Sequence, residues 1–332
     1  MKPITVGILG AGRIGQDHGN NLQRLAGLEL KAVTDPYVDF TSWPPSPVAT
    51  GVDPDLILLD DEIDAVLVCS PTPTHADLTE RAAKVGQHVF CEKPIDLDPV
   101  RIRRTLAIVE ESGVKFQVGY NRRFDPTFAR VRRAVTDGEV GEIQLIKITS
   151  RDPEAPPAEY VRDSGGIFLD MTIHDFDMVR YLTGSEVEEV YAAGAVLIDP
   201  AIGEAGDVDT AVTTLKMTNG AIAVIENSRQ AVYGYDQRVE VFGSGGSAEA
   251  GNETPNRVTV SSLDGVRSDK PLYFFLERYQ ASFVAELESF FASIRDDEPT
   301  PVGGMDGLMS VLVGLAASKS LAENRPVQVE GT

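Results

Sequence analysis

Six residues near the start of the chain, Gly10-Ala11-Gly12-Arg13-Ile14-Gly15, constrain its fold more than any other stretch. The residues before them, Ile4 to Leu9, are mostly β-branched or aliphatic, as in a strand buried on both faces. A helical pattern follows through Ala26, and Leu28 to Val33 reads as a second strand ending at Asp35. Strand, glycine turn, helix, strand and acid together make a dinucleotide-binding arrangement, whereas a lone glycine motif signals little. Gly10 permits the tight turn, Gly12 lets backbone approach a pyrophosphate, and Gly15 lets helix and strand pack closely. The helix start at Arg13 and Ile14 offers N–H groups and a positive dipole end to phosphates. Asp35 is placed to accept from the ribose diol and to repel a 2′-phosphate, which favours NAD over NADP. A turn residue before Pro36 is the other reading of Asp35.

The α/β pattern continues with one irregularity. Residues Pro36 to Pro54 hold Trp43, Pro44, Pro45 and Pro47, too proline-dense for a crossover helix. An extended loop on the adenosine side is expected, with a short helix or turn at Pro54 to Leu59. Ile63 to Cys69 is a third strand and ends in Ser70-Pro71-Thr72-Pro73-Thr74-His75, at the sheet edge where open α/β sheets bind ligands. Ser70, Thr72 and His75 are therefore cofactor-binding candidates, a solvated polar residue being the alternative for His75. A helix is expected over about 74–85, a strand over Gln87 to Cys91, then Glu92-Lys93-Pro94 at the same edge. Glu92 is a cofactor candidate. Lys93 can polarise or deprotonate a substrate hydroxyl, or be a solvated loop lysine. A helix over Pro99 to Ser112 and a strand over Val114 to Val118 complete a first domain, residues 1–122.

Residues 123–332 read differently. A helix to about Thr136 is followed by strands near 143–151, 187–198, 208–217, 221–230 and 237–243, with Thr218-Asn219-Gly220 as a hairpin turn. This is an α+β layout, a large, mainly antiparallel open sheet with helices on one face. Glu277 to Ile294 and Met305 to Glu323 are closing helices, the last of which could return toward the first domain. The one helix expected among the strands begins in Ser164-Gly165-Gly166-Ile167-Phe168-Leu169-Asp170-Met171-Thr172-Ile173-His174-Asp175-Phe176-Asp177. If helical, Asp170, His174 and Asp177 share one face, and a carboxylate one turn from an imidazole suits acid–base chemistry. A plain helix start, with Met171, Ile173 and Phe176 toward the core, is the other reading. Two carboxylates and a histidine could also hold a divalent ion, but Lys93 would repel it, and no metal is expected.

Composition bounds the function. The 332 residues suffice for two domains, and 42% hydrophobic content supports a sizeable core. A net charge of −21 argues against nucleic acid and anionic membrane surfaces as partners. It fits a halophilic host or a merely very soluble protein equally. No apolar run approaches the roughly 18 residues of a membrane span, and a strand from Ile4 leaves no room for a signal peptide. Cys69 and Cys91, the only cysteines, suit a reducing cytoplasm.

A dinucleotide fold, then Glu92-Lys93-Pro94, then an α+β domain with Gly-Gly-x-x-x-Asp-x-x-x-His resembles the Gfo/Idh/MocA oxidoreductase family over essentially the whole chain. Gly119-Tyr120-Asn121-Arg122-Arg123-Phe124-Asp125, Ser150-Arg151-Asp152-Pro153, the stretch around His174, and Tyr233-Gly234-Tyr235-Asp236-Gln237-Arg238 resemble more particularly the inositol 2-dehydrogenases. The resemblance implies a Rossmann NAD-binding domain and NAD-dependent oxidation of a ring hydroxyl of myo-inositol. Lys93 would orient that hydroxyl, His174 would be general base, and Asp170 would hold His174. Asp152 and Tyr233 would contact the polyol, and Asn121 and Arg122 would sit near the nicotinamide–substrate junction. A homo-oligomer, dimer or tetramer, would form through the open sheet face. Scyllo-inositol, another isomer or a pyranose remain as substrates, and a non-catalytic NAD- and sugar-binding sensor remains as another class.

Overall fold

The computed structural model describes residues 2–40, 43 and 48–331. Two compact units emerge, one of residues 1–121 with 282–311, the other of residues 122–281 with 312–332.

In the first unit, β1 (Ile4–Leu9), β2 (Leu28–Thr34), β3 (Ala49–Gly51), β4 (Ala65–Val68), β5 (His88–Glu92) and β6 (Phe116–Gly119) form one parallel sheet in the order β3-β2-β1-β4-β5-β6. Its central strands are buried on both faces, which is why they read as unbroken apolar runs. The crossovers are α1 (Arg13–Leu22), α2 (Asp55–Leu58), α3 (His75–Lys84) and α4 (Pro99–Ser112). The bounds of α4 follow from its sequence: Asp98 accepts from Val100 N, Pro99 opens the helix, and Gly113 closes it at φ 68°. This is the expected Rossmann fold.

Three local expectations are corrected. Helix α1 stops at Leu22, short of Ala26, because turn bonds Arg24 N to Asn21 O and Leu25 N to Leu22 O replace the helical ladder. The proline-dense segment is more than an open loop. It supplies β3, and Trp43 joins the buried core with Val6, Ile8 and Leu22, its ring packed on Gly19, where a Cβ would meet the indole at 2.8 Å. Pro44, Pro45 and Pro47 lie outside the described residues. Finally, the helix Gly304–Glu323 is long and apolar enough to cross a membrane by length and composition, contrary to the expectation of no such run, and 61% of its most apolar 18-residue stretch is buried inside the fold.

The second unit is built on β7 (Ile143–Arg151), β8 (Val187–Ala195), β9 (Thr210–Met217), β10 (Ile222–Ser228), β11 (Asp236–Gly243), β12 (Gly246–Ala250) and β15 (Val327–Gln328), in the order β12-β11-β7-β10-β9-β8-β15. Only β7 and β10 pair in parallel. The expected hairpin joins β9 to β10, with Gly220 at φ 89°. Helix α5 (Pro126–Thr136) is capped by Asp125, whose side chain accepts from Thr127 N and Phe128 N. A separate hairpin, β13 (Thr259–Ser262) with β14 (Gly265–Ser268), and the short helices α9 (Pro200–Glu204) and α10 (Phe275–Arg278) were beyond the reach of periodicity. The closing helices are α11 (Gln280–Asp296) and α12 (Gly304–Glu323).

The single helix expected near His174 is three: α6 (Ala158–Ser164), α7 (Gly166–Asp170) and α8 (Ile173–Thr183). Gly165 and Gly166 take φ of 86° and 77°, left-handed values that end one helix and start the next. At the second break, Met171 N and Thr172 N both bond to Ile167 O, and the Thr172 hydroxyl donates to that same carbonyl. Asp170 and His174 therefore lie on different helices and do not share one helix face.

Candidate active site

The glycine turn of the first unit is explained by what a side chain would meet. A Cβ on Gly10, at φ 108°, would lie 2.4 Å from Ser70 N, and one on Gly15 would lie 2.0 Å from Gly10 O. These two glycines are required by backbone packing. Gly12 is different: a Cβ there meets nothing within 4 Å. It opens α1, which has no side-chain cap, so the helix start and the space above Gly12 are left for a ligand. Arg13 is exposed and Ile14 half-buried at this end. Asp35 is held with 8% exposure, accepting from Ala11 N at 2.8 Å, Tyr37 N at 2.8 Å and Val38 N at 3.1 Å. Its carboxylate thus fixes the glycine turn and the chain beyond β2. Trp43 Nε1 donates to Ala11 O at 3.2 Å and locks the same turn from the other side. These residues fit a dinucleotide.

At the neighbouring strand ends, the Ser70 and Thr74 hydroxyls lie 2.6 Å apart, and Thr72 lies in the 3-10 turn that leads into α3. His75, expected on the cofactor, spends both ring nitrogens on the protein: Nδ1 is 2.7 Å from Pro94 O and Nε2 is 2.6 Å from Ser70 O. It ties the turn after β4 to the Lys93–Pro94 peptide, which is cis. Burial pushes its pKa down against the pull of the two carbonyls. Lys93 is half-buried. Glu92 Oε1 is 2.9 Å from His18 Nε2. His18, Glu92 and Glu286 bring ligand-type atoms within 4.8 Å of one another. Glu286 is fully buried, and neither of its oxygens has a partner among the described residues. Burial first, then the charges of Glu92 and Asp17, push its pKa well above the usual carboxylate range. Asn121 closes this unit, 4% exposed.

The second unit gathers a polar cluster at the ends of β7 and β10 and the α6–α8 turns. Asp170 Oδ1 accepts from the Tyr160 hydroxyl at 2.9 Å, and Oδ2 accepts from Arg229 Nη1 at 3.0 Å. The same Nη1 lies 3.6 Å from Asp152 Oδ2. Burial pushes Asp152 up to about 6, with Arg229 opposing and Asp170 reinforcing the shift. His174 follows in the first turn of α8, half-buried. The Thr172 hydroxyl, immediately before α8, also lies 2.9 Å from Asn227 Oδ1 and shares its one proton between that oxygen and Ile167 O, and Asn227 Nδ2 donates to Asp175 at 2.8 Å.

Other sequence candidates have protein partners of their own. Arg122 is 5% exposed, with Nη1 on Asp175 at 2.5 Å and further contacts to Ser150 and Tyr235, so its guanidinium serves a buried network of the second unit. Asp177 is gripped by Arg123. The Tyr233 hydroxyl donates to Asp236 Oδ2 at 2.5 Å and accepts from Arg151. The Gly165–Gly166 turn is held by Asp207: Ile167 N donates to its Oδ2 at 2.8 Å, and a Cβ on Gly166 would sit 2.9 Å from its Oδ1. Arg229 and Tyr160 were missed in the sequence, since neither belongs to a motif.

Residues 4–120 match the oxidoreductase family's NAD-binding Rossmann fold, and residues 128–249 match the Gfo/Idh/MocA C-terminal domain. The chain belongs to the Gfo/Idh/MocA oxidoreductase family. As a member of that family it is an NAD-binding oxidoreductase. An uncharacterized oxidoreductase of Bacillus subtilis is 50% identical over 100% of this chain and 98% of its own. A myo-inositol 2-dehydrogenase of Thermotoga maritima is 47% identical over 98% and 99% of the two chains. The crystal structure of a scyllo-inositol dehydrogenase of Lactobacillus casei, with bound NAD(H) and scyllo-inositol, superposes with a TM-score of 0.92 at 32% identity, covering 99% of this chain and 99% of that one.

Proposed function

We propose that this Gfo/Idh/MocA member is an NAD-dependent inositol 2-dehydrogenase that oxidises a ring hydroxyl of myo-inositol to the inosose. The observation that carries the substrate is the end-to-end 47% identity to the Thermotoga enzyme of that name. The cluster of Asp152, Asp170, Tyr160 and Arg229 supports it, because a polyol is distinguished by many directed hydrogen bonds. NAD, when bound, accepts the carbinol hydride at the nicotinamide C4. Lys93 binds and orients the reacting hydroxyl, His174 takes its proton as general base, and Asp170 steadies the imidazolium that results. Asp152, Asn121 and Tyr233 are the proposed polyol contacts. In reduction His174 returns the proton as general acid.

The open sheet face supports a homo-oligomer. Register places Leu145, Tyr191, Val212, Ile222 and Phe242 on the same face, each 39–46% exposed. A second copy covering this face gives a dimer, and two such dimers a tetramer. The free thiols Cys69 and Cys91 suit the cytoplasm, and oxidation to an inosose suits inositol catabolism.

The test is NADH formation with a panel of inositol isomers and pyranoses, run with NAD and with NADP. Myo-inositol with NAD is expected to be the best pair, and no turnover with any isomer overturns the reading. The likeness to the scyllo-inositol enzyme favours scyllo-inositol as the second reading, and the same panel separates the two.

A further inference from the structure

Arg229 follows β10 directly and is fixed before its side chain makes any contact. Its N–H donates to Asp209 O at 2.8 Å. Asp152 N donates to Ser228 O at 2.9 Å, and Ala231 N to Asp152 O at 2.6 Å. The parallel pairing of β7 with β10 thus straps Asp152 and Arg229 together through backbone. The side chain is 3% exposed. One nitrogen, Nη1, reaches both Asp170 at 3.0 Å and Asp152 at 3.6 Å. Nε and Nη2 are buried and have no acceptor among the described residues.

That is a costly arrangement for stability alone. A buried guanidinium usually has its donors met, and unmet ones carry a desolvation penalty. Here the acceptors are concentrated on one nitrogen. The charges facing the cluster explain what is gained. Asp152 faces Asp170 and Asp175 besides Arg229 and Arg122, and Arg229 also faces Asp207. Tyr160 is neutral, its pKa raised by burial and then by Asp170. Arg122 is bonded to Asp175, whereas Arg229 is a cation in contact with both Asp170 and Asp152. Without it, neighbouring carboxylates would be left to share protons.

We propose that Arg229 is a positioning residue for the reaction, one guanidinium that keeps Asp170 ionised and aimed for acid–base work while it holds Asp152 as a hydroxyl acceptor. This rests on the dehydrogenase reading above. It links substrate recognition and proton transfer through a single side chain, so Arg229 variants disturb both together.

The experiment compares full-length wild-type protein with R229M and R229K. It measures kcat and KM for cyclitol oxidation from about pH 5 to about pH 9, beside thermal melts and NADH binding as checks of integrity. For R229M, kcat/KM is expected to fall about 100-fold, with the acid limb of the profile moved to higher pH. R229K is expected to recover about tenfold of that loss and to return the limb most of the way. A folded, NADH-binding R229M whose acid limb stays in place overturns the proposal, as does R229K no better than R229M. If R229M does not fold, R229Q takes its place in the same comparison: a limb shifted upward supports the proposal and an unshifted one overturns it. If the wild type oxidises no cyclitol, the dehydrogenase reading falls by itself. Arg229 is then judged by carbon-13 NMR titration of the Asp152 and Asp170 carboxyls, whose midpoints must rise in the variant.

Discussion

Arg123 grips Asp177 with two parallel charge-assisted hydrogen bonds, Nε to Oδ2 at 2.8 Å and Nη2 to Oδ1 at 2.6 Å, in a site where Asp177 is 1% exposed. The guanidinium also lies 5.4 Å over the Tyr181 ring. Asp177 is spaced from His174 like a third member of an acid–base face, but it belongs to the packing of α8. Replacing Asp177 by Ala leaves a half-buried arginine without this carboxylate and is expected to cost about 2–3 kcal/mol in urea unfolding. The folded fraction is expected to keep a kcat close to wild type. A large fall in kcat without loss of stability would return Asp177 to the chemistry.

The glycine turn gives a contrast between two substitutions of the same size. Gly15→Ala forces a Cβ to within 2.0 Å of Gly10 O, so backbone must move. It is expected to cost about 1–3 kcal/mol of stability, read as a lower melting temperature. Gly12→Ala meets nothing within 4 Å, and its φ of −66° suits any residue. The variant is expected to melt like wild type and to bind NADH at least about tenfold more weakly, a loss of about 1.4 kcal/mol. Equal NADH affinity in Gly12→Ala would mean that no phosphate approaches that turn.

Much of this fold could be read from local chemistry. The run from Ile4 to Leu9, the three glycines and Asp35 each answer a requirement satisfied within a few residues, and the bounds of α4 follow from Asp98, Pro99 and Gly113. The candidate site was only half legible. Asp170 and His174 stand in a motif, but the break of the chain at Met171 and Thr172 depends on both N–H groups turning to Ile167 O, which no periodicity reveals. Arg229 gains its meaning only when β10 pairs in parallel with β7 and sets it beside Asp152. Trp43 was hidden among prolines, because its place in the core is set by Gly19 on another element. What the sequence conceals is long-range pairing of polar groups.

As a proposed polyol contact, Asp152 is expected to give substrate binding a pH dependence. Burial, reinforced by Asp170 and opposed by Arg229, lifts its carboxyl to about 6. Above that pH its carboxylate is free to accept a hydrogen bond from a ring hydroxyl, as the proposal requires, and below it holds a proton of its own. One unit below the midpoint about a tenth remains ionised, so KM for the cyclitol is expected to rise about tenfold between about pH 7.5 and about pH 5. Asp152→Asn does not titrate, and its KM is expected to be high and flat across the same range. A wild-type KM that stays level through this window would remove Asp152 from the substrate contacts.

Glu286 carries a stability dependence of definite sign. It is fully buried, without partners for either oxygen among the described residues, and burial holds its pKa well above the usual value of 4.5. Above that usual value the unfolded chain releases a proton that the folded chain keeps. The native state then binds more protons than the unfolded state, so stability falls as pH rises from there toward the folded pKa, and levels off beyond it. Glu286→Gln keeps the shape and carries no titrating proton. It is expected to melt higher than wild type at about pH 8, the gap closing as pH falls toward about 4.5. Thermal melts of both proteins across that range check this. A variant less stable than wild type at every pH would show that Glu286 is ionised in the fold and compensated by its surroundings.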